Sequence, residues 1–448
     1  LNNSNHSMKA NILNSVIGLI LICPNLYAEN EIYLNDDAPI EQRIDYALSR
    51  MTLEEKVALC HGQGKFSSAG VRRLGIPELW WSDGPHGVRA EVNWNNWGNA
   101  DWKNDSSTVF PALTALASTW NPSLAGLYGK SVGEEARYRD KDVLMGPGLN
   151  IYRTPLCGRN FEYMGEDPVL AGEMAVPYVR ELQKNGVAAS VKHFAVNNQE
   201  KWRENVDVEV SERALYEIYL PAFKKAITEG GAWTVMGAYN RIGGTHACHN
   251  YYTLNKILRD EWGFDGVVVS DWGGTHNTEE AALNGLDVEM ATGSDGMVKD
   301  GEFTYDDYYL ARPFRDAIKA GVLPDSAVNA KARNILRLIF RTAMNSHKPH
   351  GAMTSPEHYT AARHIAEEAI VLLKNNGILI KKFLWWVKLP PDSSMREVVL
   401  RNLKQKICSH HSMPLRRFTA MWIINPVTCQ AVPCGDGRIH FHRRKSIH

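Results

Sequence analysis

Short apolar runs alternate with amphipathic stretches along most of this chain. Between residues 41 and 61 apolar positions recur at helical spacing (Ile44, Ala47, Leu48, Met51, Val57), and Thr52 followed by Glu55 is a capping signal for a second helix. Residues 75–89 read as a strand closing in a turn rich in Gly and Pro. The pattern then repeats, with helices predicted over 124–139, 168–185, 211–229, 254–262 and from 278. They are interleaved with strands over 142–145, 187–191, 233–238, 266–270 and 286–290, and further helices span 306–320 and 326–344. Strand–helix units without antiparallel hairpin signals predict an α/β fold of the (β/α)8 TIM-like barrel type. A doubly wound sheet shares the local pattern, but no Gly-x-Gly-x-x-Gly follows a first strand.

Two stretches break the rhythm. Residues 91–105 are rich in Trp and Asn without periodicity, a long loop of the kind that is functional or disordered. Residues 345–356 read as a linker, after which a helix over 359–368 and a strand over 370–373 open a second domain. From residue 381 the chain has no period. The expected division is therefore 1–28 as upstream residues and a signal peptide, 29–345 as the barrel, 346–380 as linker and the start of the second domain, and 381–448 as a tail outside the native fold.

Charge supports that division. The formal net charge is zero, yet residues 381–448 carry 13 Lys+Arg against 3 Asp+Glu. Without helical or strand periodicity this tail does not read as a nucleic-acid arm. Near the start, Lys9, an apolar stretch over 12–23 and Ala28 before a cleavage point resemble a secretory signal, which predicts export to the periplasm or medium. The apolar run is too short and too soon interrupted by Pro24 to predict a stable membrane span. Seven cysteines form no disulfide framework and have no zinc spacing; buried thiols are favoured over a Cys157–Cys248 pair. No metal or cofactor is expected, and the oligomeric state is left open.

The chemistry gathers at predicted strand ends: Asp83, Arg159, Lys192 with His193, Tyr239, and Asp271 with Trp272. In a parallel barrel those ends converge on one cavity. A carboxylate beside an indole suits sugar chemistry, the ring stacking on a pyranose while the carboxylate meets the anomeric carbon. Arg, Lys and Asp can hold hydroxyls through charge-assisted hydrogen bonds. Each residue alone has a plainer reading: Asp83 as a turn residue, Arg159 and Glu162 as a surface pair, His193 as a structural histidine, Tyr239 as core.

Four ordered motifs carry a resemblance. They are Ser-Asp-Gly-Pro-His-Gly-Val-Arg at 82–89, Gly-Arg-Asn-Phe-Glu-Tyr-Met-Gly-Glu-Asp-Pro at 158–168, Val-Lys-His-Phe-Ala-Val-Asn-Asn-Gln-Glu at 191–200, and Val-Ser-Asp-Trp at 269–272. With Ser-Glu-Arg-Ala-Leu from 211 and Met-Gly-Ala-Tyr-Asn at 236–240, the chain resembles family 3 of the glycoside hydrolases, the β-glucosidase and β-xylosidase group, over roughly residues 40–375. The resemblance implies Asp271 as the nucleophile of a retaining mechanism on an oligosaccharide or β-glycoside, with Trp272 beside the sugar in subsite −1. It implies Asp83, Arg159, Lys192 and His193 as hydroxyl ligands, with Met236 and Tyr239 lining the pocket. Lys192 and Arg159 are expected to favour an ionised Asp271. The stretch after Lys192-His193 departs from the pattern of the family's N-acetylhexosaminidases, which keep their proton donor within the barrel domain. Elsewhere in the family the acid/base Glu comes from a second, α/β sandwich domain. Here that domain opens near 366 and loses the family pattern after Gly377, as a frameshift or truncation would produce, so no acid/base residue is assigned. The expected function is an exo-acting retaining β-glycosidase, impaired by loss of that domain; the alternative is a non-catalytic sugar-binding barrel.

Overall fold

The computed structural model describes residues 31–103, 105–290 and 304–374, together with the backbone of 431–433 and 439–441. Strands β1 (Gly62–Gly64), β2 (Ser67–Ser68), β3 (Leu79–Asp83), β4 (Val143–Met145) and β5 (Ala188–Phe194) follow one another in the chain. A short β6 (Asp207–Val208) pairs with a hairpin made by β8 (Arg241–Ile242) and β9 (Thr245–His246), while β7 (Thr234–Gly237) and β10 (Val267–Val269) extend the main sheet. The main order is β1-β2-β3-β4-β5-β7-β10. From β3 to β10 every neighbour is parallel, with Asp83 opposite Met145, Val143 opposite Ala188, and Thr234 opposite both Ser190 and Val267. All their C-terminal ends therefore face one way.

The sheet closes through residues 286–290. Val288 bridges Val269, and Glu289 bridges His61 just before β1. The predicted strand there is reduced to isolated bridges, which suffice to complete the ring. A second departure lies at the start, where β1–β2 and β2–β3 are antiparallel. The turn at residues 65–66 is too short to carry a crossover helix, so the chain can only double back. The staves are buried throughout: β4, β5, β7 and β10 expose none of their residues, as strands sandwiched between an interior and a helical ring must.

Helices cover the outside, and their ends follow local chemistry. Ile40–Arg50 buries Ile44, Ala47 and Leu48, and Thr52 and Glu55 form a reciprocal capping box on Leu53–Leu59. The expected helix over 211–229 is interrupted. A π-type turn at Leu215–Tyr219 bonds Leu220 N to Leu215 O, and a new helix begins at Pro221, which has no N–H to continue the old one. The helix expected over 306–320 shortens to Arg312–Lys319 for the same reason, with Pro313 in its first turn. At 370–373 no strand forms. Ile370 and Leu373 are exposed, and among the described residues no strand pairs with them. Leu372–His448 separate as a second unit, in which Ala431–Pro433 pair antiparallel with Ile439–Phe441. The predicted signal at 1–28, and the rest of the tail from 375, fall outside the described residues. Cys60, Cys157 and Cys248 are free thiols, the first and last buried. Among the described residues no helix is long and apolar enough to cross a membrane.

Residues 91–103 and 105 belong to a closed loop. The Glu91 N–H donates to Asp105 Oδ2 at 2.9 Å, joining its two ends, and Val92 bridges Asn99 across it. Arg139 Nη2 reaches Glu91 Oε1 (2.7 Å) and Asp105 Oδ1 (2.5 Å), and Lys141 Nζ reaches Glu91 Oε1 (2.6 Å). The loop is thus ordered by a buried ionic neck. Its middle carries Trp97 onto the rim of the barrel mouth.

Candidate active site

At the C-terminal ends of the strands lies a cavity of about 210 Å3, below the 300–1,000 Å3 typical of drug-sized ligands and suited to a single sugar ring. Asp83, Arg159, Lys192, His193, Met236, Tyr239, Asp271 and Trp272 all line it. Every residue singled out from the sequence is therefore brought to one hollow. A larger hollow of about 440 Å3 includes Arg153, Glu209 and Tyr219, without the convergence of opposite charges seen here.

Local backbone explains how adjacent residues reach the same space. Side chains alternate along a regular strand, yet Lys192 and His193 are neighbours and both line the cavity. The β5–β7 register shifts between Val191 and Phe194, a bulge that breaks the alternation. Asp83 ends β3, and its Oδ1 accepts from the N–H of Gly84 at 2.9 Å. Gly84 has φ +122°, and a Cβ there would stand 1.8 Å from Gly87 O, so the tight turn after Asp83 requires glycine.

The charges are interlocked. Lys192 Nζ donates to Asp83 Oδ1 at 2.8 Å and lies 3.4 Å from Glu162 Oε2. Arg159 pairs through Nε with Glu162 and through Nη2 donates to His193 Nε2 at 2.7 Å. A guanidinium only donates, so His193 Nε2 carries the lone pair and Nδ1–H donates to Tyr163 OH at 3.1 Å. Burial, then Arg159 and Lys192, hold the His193 pKa well below its ordinary value. It is a neutral histidine with both ring nitrogens engaged. Burial resists ionisation of Asp83, but Lys192 and the Gly84 N–H outweigh it and keep that carboxyl below its usual range. Lys192 is likewise desolvated, yet Asp83 and Glu162 raise its pKa overall.

Asp271 is arranged differently. Its Oδ1 accepts from the N–H of Trp272 at 2.8 Å. Its Oδ2 is buried without a hydrogen-bond partner. The nearest cation and imidazole stand off, Arg159 Nη1 at 3.9 Å and His193 Nε2 at 3.6 Å. Arg159, the Trp272 N–H, Lys192 and the Tyr239 hydroxyl pull its pKa down, but burial prevails and raises it. The two cations thus favour the ionised form, as expected, and desolvation outweighs them. An unengaged carboxylate oxygen on the cavity wall is chemically equipped to attack an electrophilic carbon. Trp272 is fixed beside it by Nε1–H donating to Lys65 O (2.9 Å) and by Tyr239 OH donating to Trp272 O (3.0 Å).

Several lining residues were not singled out from the sequence: Phe66, Arg89, Trp97, Met145 and Arg203. Phe66 lies 5.1 Å from the Trp272 ring and 5.8 Å from Trp97, extending the aromatic wall outward. Arg203 stacks over Tyr239 at 4.4 Å. Arg89 lies inside the Ser-Asp-Gly-Pro-His-Gly-Val-Arg motif, and the Trp-rich stretch reads from its sequence as a loop alone. Glu162, read as half of a surface pair, is buried between Arg159 and Lys192; its place three residues after Arg159 was the available signal.

Residues 67–338 match the glycosyl hydrolase family 3 N-terminal domain. The β-glucosidase BoGH3A of Bacteroides ovatus is 62% identical over 347 residues, covering 78% of this chain and 46% of that protein. The exo-α-(1→6)-L-arabinopyranosidase of Bifidobacterium longum is 38% identical, over 74% of this chain and 42% of its own. Among solved structures, β-glucosidase 3B of Thermotoga neapolitana in complex with glucose superposes with a TM-score of 0.68 at 38% identity, over 76% of this chain and 48% of that one. The chain thus spans less than half the length of these relatives. With a fold, a set of strand-end groups and a family match that coincide on the same residues, the chain belongs to glycosyl hydrolase family 3.

Proposed function

We propose that the barrel is the catalytic domain of an exo-acting retaining β-glycosidase that releases a terminal non-reducing β-linked glucose, or xylose, from oligosaccharides and glycosides. The observation that carries the reading is the buried, unengaged Oδ2 of Asp271 on the wall of a one-ring cavity beside Trp272. In the first step Oδ2 forms a bond to C1 while the bond from C1 to the leaving oxygen breaks, its electron pair departing with the aglycone. Water then bonds C1 as the bond from C1 to Asp271 breaks, one water proton passing to solvent and the carboxylate being restored. Asp83, Arg159 and Lys192 hold ring hydroxyls, and His193, whose ring nitrogens are taken by Arg159 and Tyr163, lines the pocket beside them. Glucose is favoured because the relative at 62% identity is a β-glucosidase, whereas the arabinopyranosidase stands at 38%.

Departure of a poor leaving group needs a proton. Among the described residues, the carboxyl groups lining the cavity are Asp83 and Asp271, and an Asp83 held below its ordinary pKa by Lys192 is a poor acid. The 448-residue chain is therefore expected to turn over 2,4-dinitrophenyl β-glucoside, whose phenolate leaves unprotonated, far faster than cellobiose. Equal, brisk turnover of both would overturn this. The same shortage of an acid supports a second reading, a sugar-binding barrel without turnover. A 2-deoxy-2-fluoro-glucoside of dinitrophenol decides between them: the glycosidase reading expects a covalent adduct on Asp271, and the binder expects none. We also propose export, resting on residues 8–28; a secreted product beginning at Glu29 would support it, and retention of the full chain inside cells would not.

A further inference from the structure

We infer that Glu162 is a positioning residue, which commits Arg159 and Lys192 to itself and so keeps the Arg159 guanidinium from closing on Asp271. The inference rests on the glycosidase reading above and deepens it, because it explains how a buried carboxylate stays unengaged 3.9 Å from an arginine.

Glu162 ends the short turn Asn160–Glu162, whose backbone is fixed by Glu162 N donating to Arg159 O and Tyr163 N donating to Asn160 O, both at 3.1 Å. Its side chain is 5% exposed. One carboxylate oxygen takes Arg159 Nε, and the other lies 3.4 Å from Lys192 Nζ. With Nε on Glu162 and Nη2 on His193, the planar guanidinium has two of its edges fixed, and Nη1 is left at a distance from Asp271 too long for a hydrogen bond. Lys192 is tethered in the same manner between Asp83 and Glu162. Without the Glu162 charge, Arg159 and Lys192 would face Asp83 and Asp271 alone. Asp271 would then be the nearest uncommitted carboxylate, and a bidentate pair would form over Oδ2. The groups facing Glu162 are Arg159, Lys192, Tyr163 and His86. Those facing Asp271 are Arg159, Lys192, His193, Tyr239, Arg203 and Cys248. Of the two sets, only Arg159 and Lys192 are shared, so a change at Glu162 reaches Asp271 through them.

The test is the rate of adduct formation on Asp271 by the fluoro-glucoside, followed by mass spectrometry against pH, in the full chain. Glu162→Gln is expected to slow labelling at neutral pH by about 10²-fold, the penalty of misplacing a reacting group by about 1 Å, and to move the acid limb of the profile to lower pH. Glu162→Asp keeps the charge and is expected to leave that limb in place while slowing the rate. In a double-mutant cycle, the slowing caused by Glu162→Gln is expected to shrink in an Arg159→Ala background to what Lys192 alone transmits, because Glu162 reaches Asp271 through these two cations. An unmoved acid limb in a folded Glu162→Gln protein, or effects that multiply in the double variant, would overturn the inference. If Glu162→Gln does not fold, the cycle with Glu162→Asp and the same criterion decides. Absence of adduct in the unsubstituted chain would instead sink the glycosidase reading itself.

Discussion

Two ionic clusters in this barrel share one inventory, an arginine, a lysine and two carboxylates. At the neck of the Trp-rich loop, Arg139, Lys141, Glu91 and Asp105 meet at 2.5–2.7 Å. At the mouth of the barrel, Arg159, Lys192, Asp83 and Glu162 interlock in the same way, but a fifth group, Asp271, is set beside them without a cation of its own. Each cluster has a buried polar atom without a hydrogen-bond partner. At the neck it is a donor, Arg139 Nη1; at the mouth it is an acceptor, Asp271 Oδ2, on the wall of a cavity. The lysines differ accordingly. Burial lowers the pKa of Lys141 even with Glu91 beside it, whereas Asp83 and Glu162 more than offset burial at Lys192. A matched cluster closes a loop; the cluster with one surplus carboxylate has an atom available to react.

The comparison is broken most directly at Asp271. Asp271→Asn is expected to lower kcat/KM on dinitrophenyl β-glucoside by about 10⁴-fold or more, as removing a covalent nucleophile does. Stability is expected to move the other way. Burial raises the folded-state pKa of Asp271, so the ionised group opposes folding above its unfolded pKa. Asparagine removes that cost, and the melting temperature at pH 7 should equal or exceed the parent's, with the difference vanishing in acid. A clear loss of stability at neutral pH would show that Asp271 is as matched as the neck residues. The neck is expected to behave in the opposite sense. Arg139→Met leaves Asp105 without its cation and Glu91 with Lys141 alone, which costs about 3 kcal/mol in denaturant unfolding, while adduct formation on Asp271 survives in the folded fraction.

Much of this was legible before any coordinates. Asp83, Lys192, His193 and Asp271 fall at strand ends because glycine, proline and apolar runs mark those ends, and a parallel barrel gives every strand end the same cavity. Three things were not legible. The antiparallel entry through β1 and β2 rests on two- and three-residue strands too short to show a period. The bulge that turns both Lys192 and His193 inward is a matter of register between β5 and β7, which neither strand encodes alone. The neck joins Glu91 and Asp105 to Arg139 and Lys141 across 34 residues or more, and a loop without periodicity gives no sign of what its ends will meet. Glu162 was in plain view in its motif, but pairing with Arg159 reads the same whether exposed or buried.

A milder test uses Glu289, which closes the ring opposite His61 and has only one carboxylate oxygen satisfied, by Leu310 N at 2.6 Å. Burial pushes its pKa up to about 8. The folded state therefore holds a proton that the unfolded state releases near the ordinary value of 4.5. Stability from this group is complete below that value and is lost as pH rises towards 8. Glu289→Gln should flatten that slope in melts recorded between pH 5 and 8, and an unchanged slope would assign the pH dependence elsewhere.

The smallest effect joins the two clusters. Trp97 sits at the end of the aromatic row Trp272–Phe66–Trp97, 43% exposed against 8% for Trp272, so it belongs to the rim of the cavity rather than its floor. Arg89 and Lys65 lie over its ring at 5.2 and 4.9 Å, holding the indole upright. An aryl leaving group pointing out of the mouth would meet this face. Trp97→Ala is expected to raise KM for an aryl β-glucoside several-fold, the range of a lost aromatic contact of about 0.5–1.5 kcal/mol, while the inhibition constant of glucose hardly moves. If the neck exists to present Trp97, Arg139→Met should raise the same KM, and adding it to Trp97→Ala should raise KM no further. Independent effects would instead make the neck a fastening for the barrel wall alone, with the loop's approach to the mouth incidental.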